Sequence, residues 1–116
     1  MKKLLTTLAA AMGIATSTFA ALVDLSTVTA NRTLNNGDVV TGTLGGNYKI
    51  SIADGAEVTL YNVAINGVDD DDFNWAGITC NGDATIILMS GTYNVVRGFY
   101  CLYPGIYVPK FKTISL

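Results

Sequence analysis

The sequence predicts an all-β chain wound into a parallel β-helix, or β-solenoid, of about three coils of 28 residues, preceded by a signal-peptide helix. Three observations predict it. Short β-branched runs follow one another between Gly, Asn and Asp, with no amphipathic helix beyond the N-terminal segment. Apolar columns recur at a fixed offset of 28 residues. Within each run apolar and polar residues alternate, so each strand has an inward and an outward face.

The first element lies outside the predicted fold. Lys2 and Lys3 form a positive start, Leu4 to Ala15 a short apolar stretch, and Thr16 to Ala20 a run of small residues and Phe19 before a cut at Ala20/Ala21. That is the layout of a secretory signal peptide, so residues 1–20 are expected to be removed on export to the cell surface or beyond. Residues 21–47 are rich in Thr and Asn and break the period, so an irregular cap or first coil is expected there. Asn31-Arg32-Thr33 matches a glycosylation sequon, a weak signal by itself.

From residue 48 onward the columns are in register. Ile50, Ile78 and Ile106 are 28 apart, as are Ile52, Cys80 and Val108. Val58, Ile86 and Ile114 form a third column, and Leu60, Leu88 and Leu116 a fourth. All are expected to point inward, with Ser51, Thr59, Thr79 and Tyr107 outward. A third strand per coil, Asn62 to Ile65 and Tyr93 to Val96, does not keep the offset, because the corner before it changes length. Asn62, Asn66 and Asn94 beside it are read as corner residues that satisfy turn backbone. The chain stops at Leu116 on an inward position, so residues 48–116 are expected to be coils of a longer solenoid, with further coils missing.

The stretch N-W-A-G-I-T-C-N-G-D-A-T-I-I-L (Asn74 to Leu88), with Y-P-G-I-Y-V-P (Tyr103 to Pro109), K-T-I-S-L and N-Y-K-I-S-I-A-D-G-A-E-V-T-L (Asn47 to Leu60), resembles a group of secreted bacterial parallel β-helix proteins described as carbohydrate-binding domain-containing. The resemblance covers roughly residues 33–116. It implies a right-handed β-helix, export, and calcium-assisted binding of polysaccharide. It names no site residue.

Composition excludes several function classes. Without Lys2 and Lys3, five of the seven basic residues remain against nine acidic ones, for a net charge of −4, which is no footprint for nucleic acid. No segment after residue 20 is long and apolar enough to span a membrane. Histidine is absent, which removes the commonest general base and zinc ligand. The isolated acids Asp38, Asp54, Glu57 and Asp83 fall at turns with no defensible pair for glycoside hydrolysis, so no catalytic residue is assigned.

Two constellations remain. Asp69, Asp70, Asp71 and Asp72 are a calcium candidate, with Asp83 as an extra ligand, since calcium takes clustered carboxylate oxygens. The run lacks EF-hand spacing, and the competing reading is a solvated corner loop. Trp75 and Tyr103 are 28 apart, and Phe99, Tyr100 and Tyr107 add aromatic surface between positions 99 and 107. Trp75, Tyr103, Tyr100 and Tyr107 are candidate sugar-stacking residues; the competing reading is a corner in which column mates stack on each other. Cys80 and Cys101 either pair, as an exported protein permits, or Cys80 is a small buried hydrophobe. The expected activity is non-catalytic binding of a polysaccharide or cell-surface glycan. The alternatives are a structural or adhesin solenoid without its own ligand, and a fragment of a polysaccharide lyase.

Overall fold

A computed structural model describes residues 21–110 and 112–116; the expected signal peptide lies outside the described residues. The described chain is all-β, with ten strands and a single 3-10 turn, Leu25–Thr27. In chain order the strands are β1 (Leu22–Asp24), β2 (Arg32–Leu34), β3 (Val39–Thr43), β4 (Ile50–Ile52), β5 (Ala56–Ile65), β6 (Ile78–Cys80), β7 (Ala84–Leu88), β8 (Val95–Val96), β9 (Ile106–Tyr107) and β10 (Ile114–Ser115).

All pairings between them are parallel. One sheet runs β1-β3-β5-β7-β10, with β8 beside the end of β5, and the other runs β2-β4-β6-β9. The chain therefore alternates between two parallel sheets, adding a strand to each in turn, and neither sheet closes on itself. Apolar residues from both sheets meet in one core: Leu34, Ile50, Ile52, Val58, Leu60, Ile78, Cys80 and Ile86 are among its fully buried members.

The register explains the repeat. Ile50 pairs with Ile78 and Ile78 with Ile106, and Val58 pairs with Ile86, all at the offset of 28. Before that the offset is shorter: Leu22 pairs with Val39 and Arg32 with Ile50. The segment from residue 21 to 47 thus carries β1, β2 and β3 in line with the same two sheets. The connections from β2 to β3, from β4 to β5 and from β6 to β7 stay short, while those from β5 to β6 and from β7 to β9 lengthen.

Several expected positions shift. Ile114 pairs with Ala84 rather than with Ile86, two residues out of the expected column. The earlier corners, Asp54-Gly55 and Gly82-Asp83, turn tightly, with Gly55 at φ +80° and Asp54 accepting the Asp83 N–H. The last corner has Pro109 there instead, and turns through a Lys112 N–H donation to the Pro109 carbonyl. Leu88 and Leu116 are 54% and 78% exposed, whereas the earlier inward residues Leu60 and Ile86 are sealed. Ser51, expected outward, is buried because Thr33 and Thr79 flank it on the neighbouring strands. The run from Val58 to Ile65 is one strand, kinked at Asn62, which sits at φ +56° where the pairing with β3 slips by a residue. Among the described residues no helix is long and apolar enough to cross a membrane.

Candidate functional site

The lengthened connection from β5 to β6, residues 66–77, and the stretch from β8 to β9, residues 97–105, pack on each other and carry most of the sequence-predicted site residues. Their backbones interlock. The Asp70 N–H donates to the Phe99 carbonyl (2.9 Å), the Phe99 N–H to the Trp75 carbonyl (3.0 Å), and the Ile78 N–H to the Gly105 carbonyl (2.8 Å). The contact is close: a Cβ at Gly67 would collide with the Gly98 carbonyl, and one at Gly77 with the Arg97 carbonyl.

Trp75 is drawn into this junction. Its ring meets Phe73 edge-on at 5.6 Å between centroids and Phe99 at a tilt at 6.0 Å. Phe99 is fully buried and joins the core, against which Phe73 and Trp75 pack. Trp75 Nε1 is buried with no hydrogen-bond partner. The structure thus pairs Trp75 with Phe73 and Phe99 and does not bring its ring against Tyr103. The physical reason is the second insertion, which places Phe99, not the residue 28 positions on, beside the Trp75 backbone. Phe99, expected as aromatic surface, is instead fully buried, and its pairing with Trp75, like that of Phe73, carried no column signal, since both lie in the inserted segments.

The tyrosines stay outside. Tyr103 and Tyr107 are 40% and 45% exposed, and Tyr100 is half-buried. Tyr107 stands on the outer face of β9 beside Thr79, which continues to Ser51 and Thr33 on β4 and β2. The outer face of this sheet is therefore a row of hydroxyl side chains ending in a phenol.

Asp70, Asp71 and Asp72 each bring one carboxylate oxygen within 4.8 Å of the others, so those three could hold a hard cation. Asp72 donates its N–H to Asp70 Oδ1 at 2.9 Å, and Asp69 adopts φ +57°. The structure does not bring Asp83 to them. Asp83 lies at the other end of β6, where its Oδ1 accepts the Thr113 N–H at 2.9 Å. Its chemistry there is that of the corner. Asn36 accepts the Glu57 N–H, Asp54 that of Asp83, Asn62 that of Tyr93 and Asn94 that of Val63, each joining one pass of the chain to its neighbour. Asn31, in the sequon, likewise accepts the Lys49 N–H.

Both cysteines are free thiols. Cys80 is buried in the core, where desolvation pushes its pKa up, and Cys101 is exposed in the second insertion. No protein family, curated protein or solved structure matches the chain.

Proposed function

We propose that the chain is an exported, non-catalytic polysaccharide-binding module built as a right-handed parallel β-helix of about three coils. The observation that carries the binding reading is the exposure of Tyr103 and Tyr107 on either side of Ile106, with Tyr100 half-buried in the adjoining insertion. Flat, rigid phenols with one apolar face suit the apolar faces of sugar rings. The interlocked backbone beneath them supplies the rigidity. The resemblance to secreted β-helix proteins and the strong preference of parallel crossovers for the right hand support the fold and the export. Calcium at Asp70, Asp71 and Asp72 belongs to the same reading as an accessory.

Retention on insoluble polysaccharides tests it. The protein is expected to be held by at least one plant or microbial cell-wall polymer, and Tyr103→Ala with Tyr107→Ala to weaken retention about tenfold or more. Both side chains are exposed, so the double variant keeps its fold. Unchanged retention in that variant sinks the assignment of the tyrosines, and no retention on any polymer sinks the function. A chelator arm reads the calcium contribution separately.

A second reading, a structural solenoid without a ligand, has its own support. The one tryptophan is spent on internal packing, and the corner carboxamides and carboxylates are spent on backbone N–H groups. A spacer predicts no retention and no response to chelator.

A further inference from the structure

The outer faces of the two sheets carry separate aromatic groups. Tyr107 stands on the outer face of β9, in the sheet β2-β4-β6-β9, with Tyr100 and Tyr103 in the stretch just before it. Tyr61 stands on the outer face of the other sheet, since it alternates with the sealed Val58 and Leu60 side along β5 and is 47% exposed. β5 is paired on both sides, with β3 on one and with β7 and β8 on the other, so this exposure belongs to the face of the sheet and not to an edge. The inward residues of both sheets meet in one core, which therefore lies between Tyr61 and Tyr107.

A second tyrosine joins Tyr61. Tyr93 donates its N–H to Asn62 Oδ1 and Val63 donates its N–H to Asn94 Oδ1, so residues 93–94 run beside residues 62–63. Val95 then pairs with Ala64 on the outer side of β5, and Tyr93, two residues before it, is 79% exposed. Met89 donates its N–H to the Leu60 carbonyl, which sets it opposite Tyr61, and Ile87 pairs with Thr59. Both are exposed.

The chemistry of this face selects its occupant. Its central outward residues on β3, β5 and β7 are Val39, Thr41, Thr59, Tyr61, Ile87 and Met89, none of them a carboxylate, ammonium or guanidinium. Asp24 on β1 and Glu57 at the start of β5 lie at its margins, and none of the strands of this sheet holds a Lys or Arg. A phosphate backbone or an anionic membrane would meet no cation there. A second copy of the same face would offer those marginal acids no opposite charge. A neutral sugar polymer, with apolar ring faces and hydroxyl edges, matches tyrosines framed by Thr and Asn.

We propose that Tyr61 and Tyr93 form a second platform for neutral polysaccharide, and that the chain, holding one polymer on each side of its core, cross-links glycan chains. The inference rests on the sugar-binding reading of Tyr103 and Tyr107 and adds a second binding face to it. Two tyrosines against three make this the weaker platform. Faces on different sides of one core do not lie along one straight polymer, so the second platform adds bridging rather than a tighter grip.

Suspended particles of cellulose, chitin and insoluble β-1,3-glucan test it, with sedimentation reporting whether the free chain is a monomer. The wild type is expected to be a monomer and to agglutinate at least one kind of particle. Tyr61→Ala with Tyr93→Ala, both at exposed positions, is expected to be retained within about twofold of the wild type yet to lose agglutination. Tyr103→Ala with Tyr107→Ala should lose agglutination too, and its weakened retention should vanish when all four tyrosines are replaced. Retention of the wild type without agglutination overturns the cross-linking alone and leaves the first platform standing; no retention on any particle overturns both. Agglutination by Tyr61→Ala with Tyr93→Ala at the wild-type level overturns the second platform. A dimeric wild type that the same two alanines make monomeric overturns it in favour of a second copy.

Discussion

Trp75 combines two opposing contributions in one side chain. Its ring fills the space between Phe73 and Phe99, which stabilises the junction, while its buried Nε1–H lacks an acceptor, which costs stability. Replacement by Phe keeps much of the ring and deletes the orphan donor. Trp75→Phe is therefore expected to unfold in urea within about 1 kcal/mol of the wild type, and Trp75→Ala to lose about 3 kcal/mol. Equal losses in both variants would mean that the indole N–H has a partner after all. Asn62 is the second instructive residue, since it holds φ +56° and accepts the Tyr93 N–H. Asn62→Ala should cost about 2 kcal/mol, because it loses the bond and suffers the left-handed backbone; Asn62→Gly, which keeps the backbone freedom, should cost about half as much. The role of Asn62 was legible in the sequence, because a corner asparagine between β-branched runs has few other uses. The partners of Trp75 were not, because an insertion on one pass of the chain changes who stands beside it without leaving a mark in the column.

Among the elements, the short corners and the long connections follow different rules. A corner built on Asp-Gly or Gly-Asp restricts the chain to one path, so the columns through Ile50, Ile78 and Ile106 could be read directly. Where Pro109 and two lysines replace that chemistry, the register moves by two residues and Ile114 arrives beside Ala84. The composition of that corner held the signal, but equal spacing concealed it. The long connections are held by backbone contact that only glycine allows. Gly67→Ala must push residues 66–77 away from residues 97–105, since its Cβ meets the Gly98 carbonyl rather than a flexible side chain. A loss of about 2–3 kcal/mol is expected, together with lost hydrogen-exchange protection at the Asp70 and Phe99 amides. Alanine at Gly91 meets no neighbouring atom, although its φ of +78° adds strain there, so its cost should be smaller and should leave those two amides protected.

On the scale of the whole molecule, every pass of the chain contributes to one shared core, so a single buried ionisable group influences global stability. Cys80 is one such group: it sits on β6 in the middle of the stack, and desolvation raises its thiol pKa above the ordinary 9.0. In the unfolded chain the thiol ionises near its ordinary value; in the folded chain it stays protonated to higher pH. Its contribution to stability is thus fully present below pH 9.0 and is lost as pH rises toward the folded value. Cys80→Ala removes both the packing and the titration. The stability difference between wild type and Cys80→Ala, measured in urea, should be flat from pH 6 to 8, at about 1–2 kcal/mol, and should narrow above pH 9. Comparing the two proteins at each pH cancels the tyrosine and lysine ionisations they share. Curves for wild type and Cys80→Ala that stay parallel above pH 9 would show that the centre of the stack is wet, and would count against the sealed core on which the sheet architecture rests.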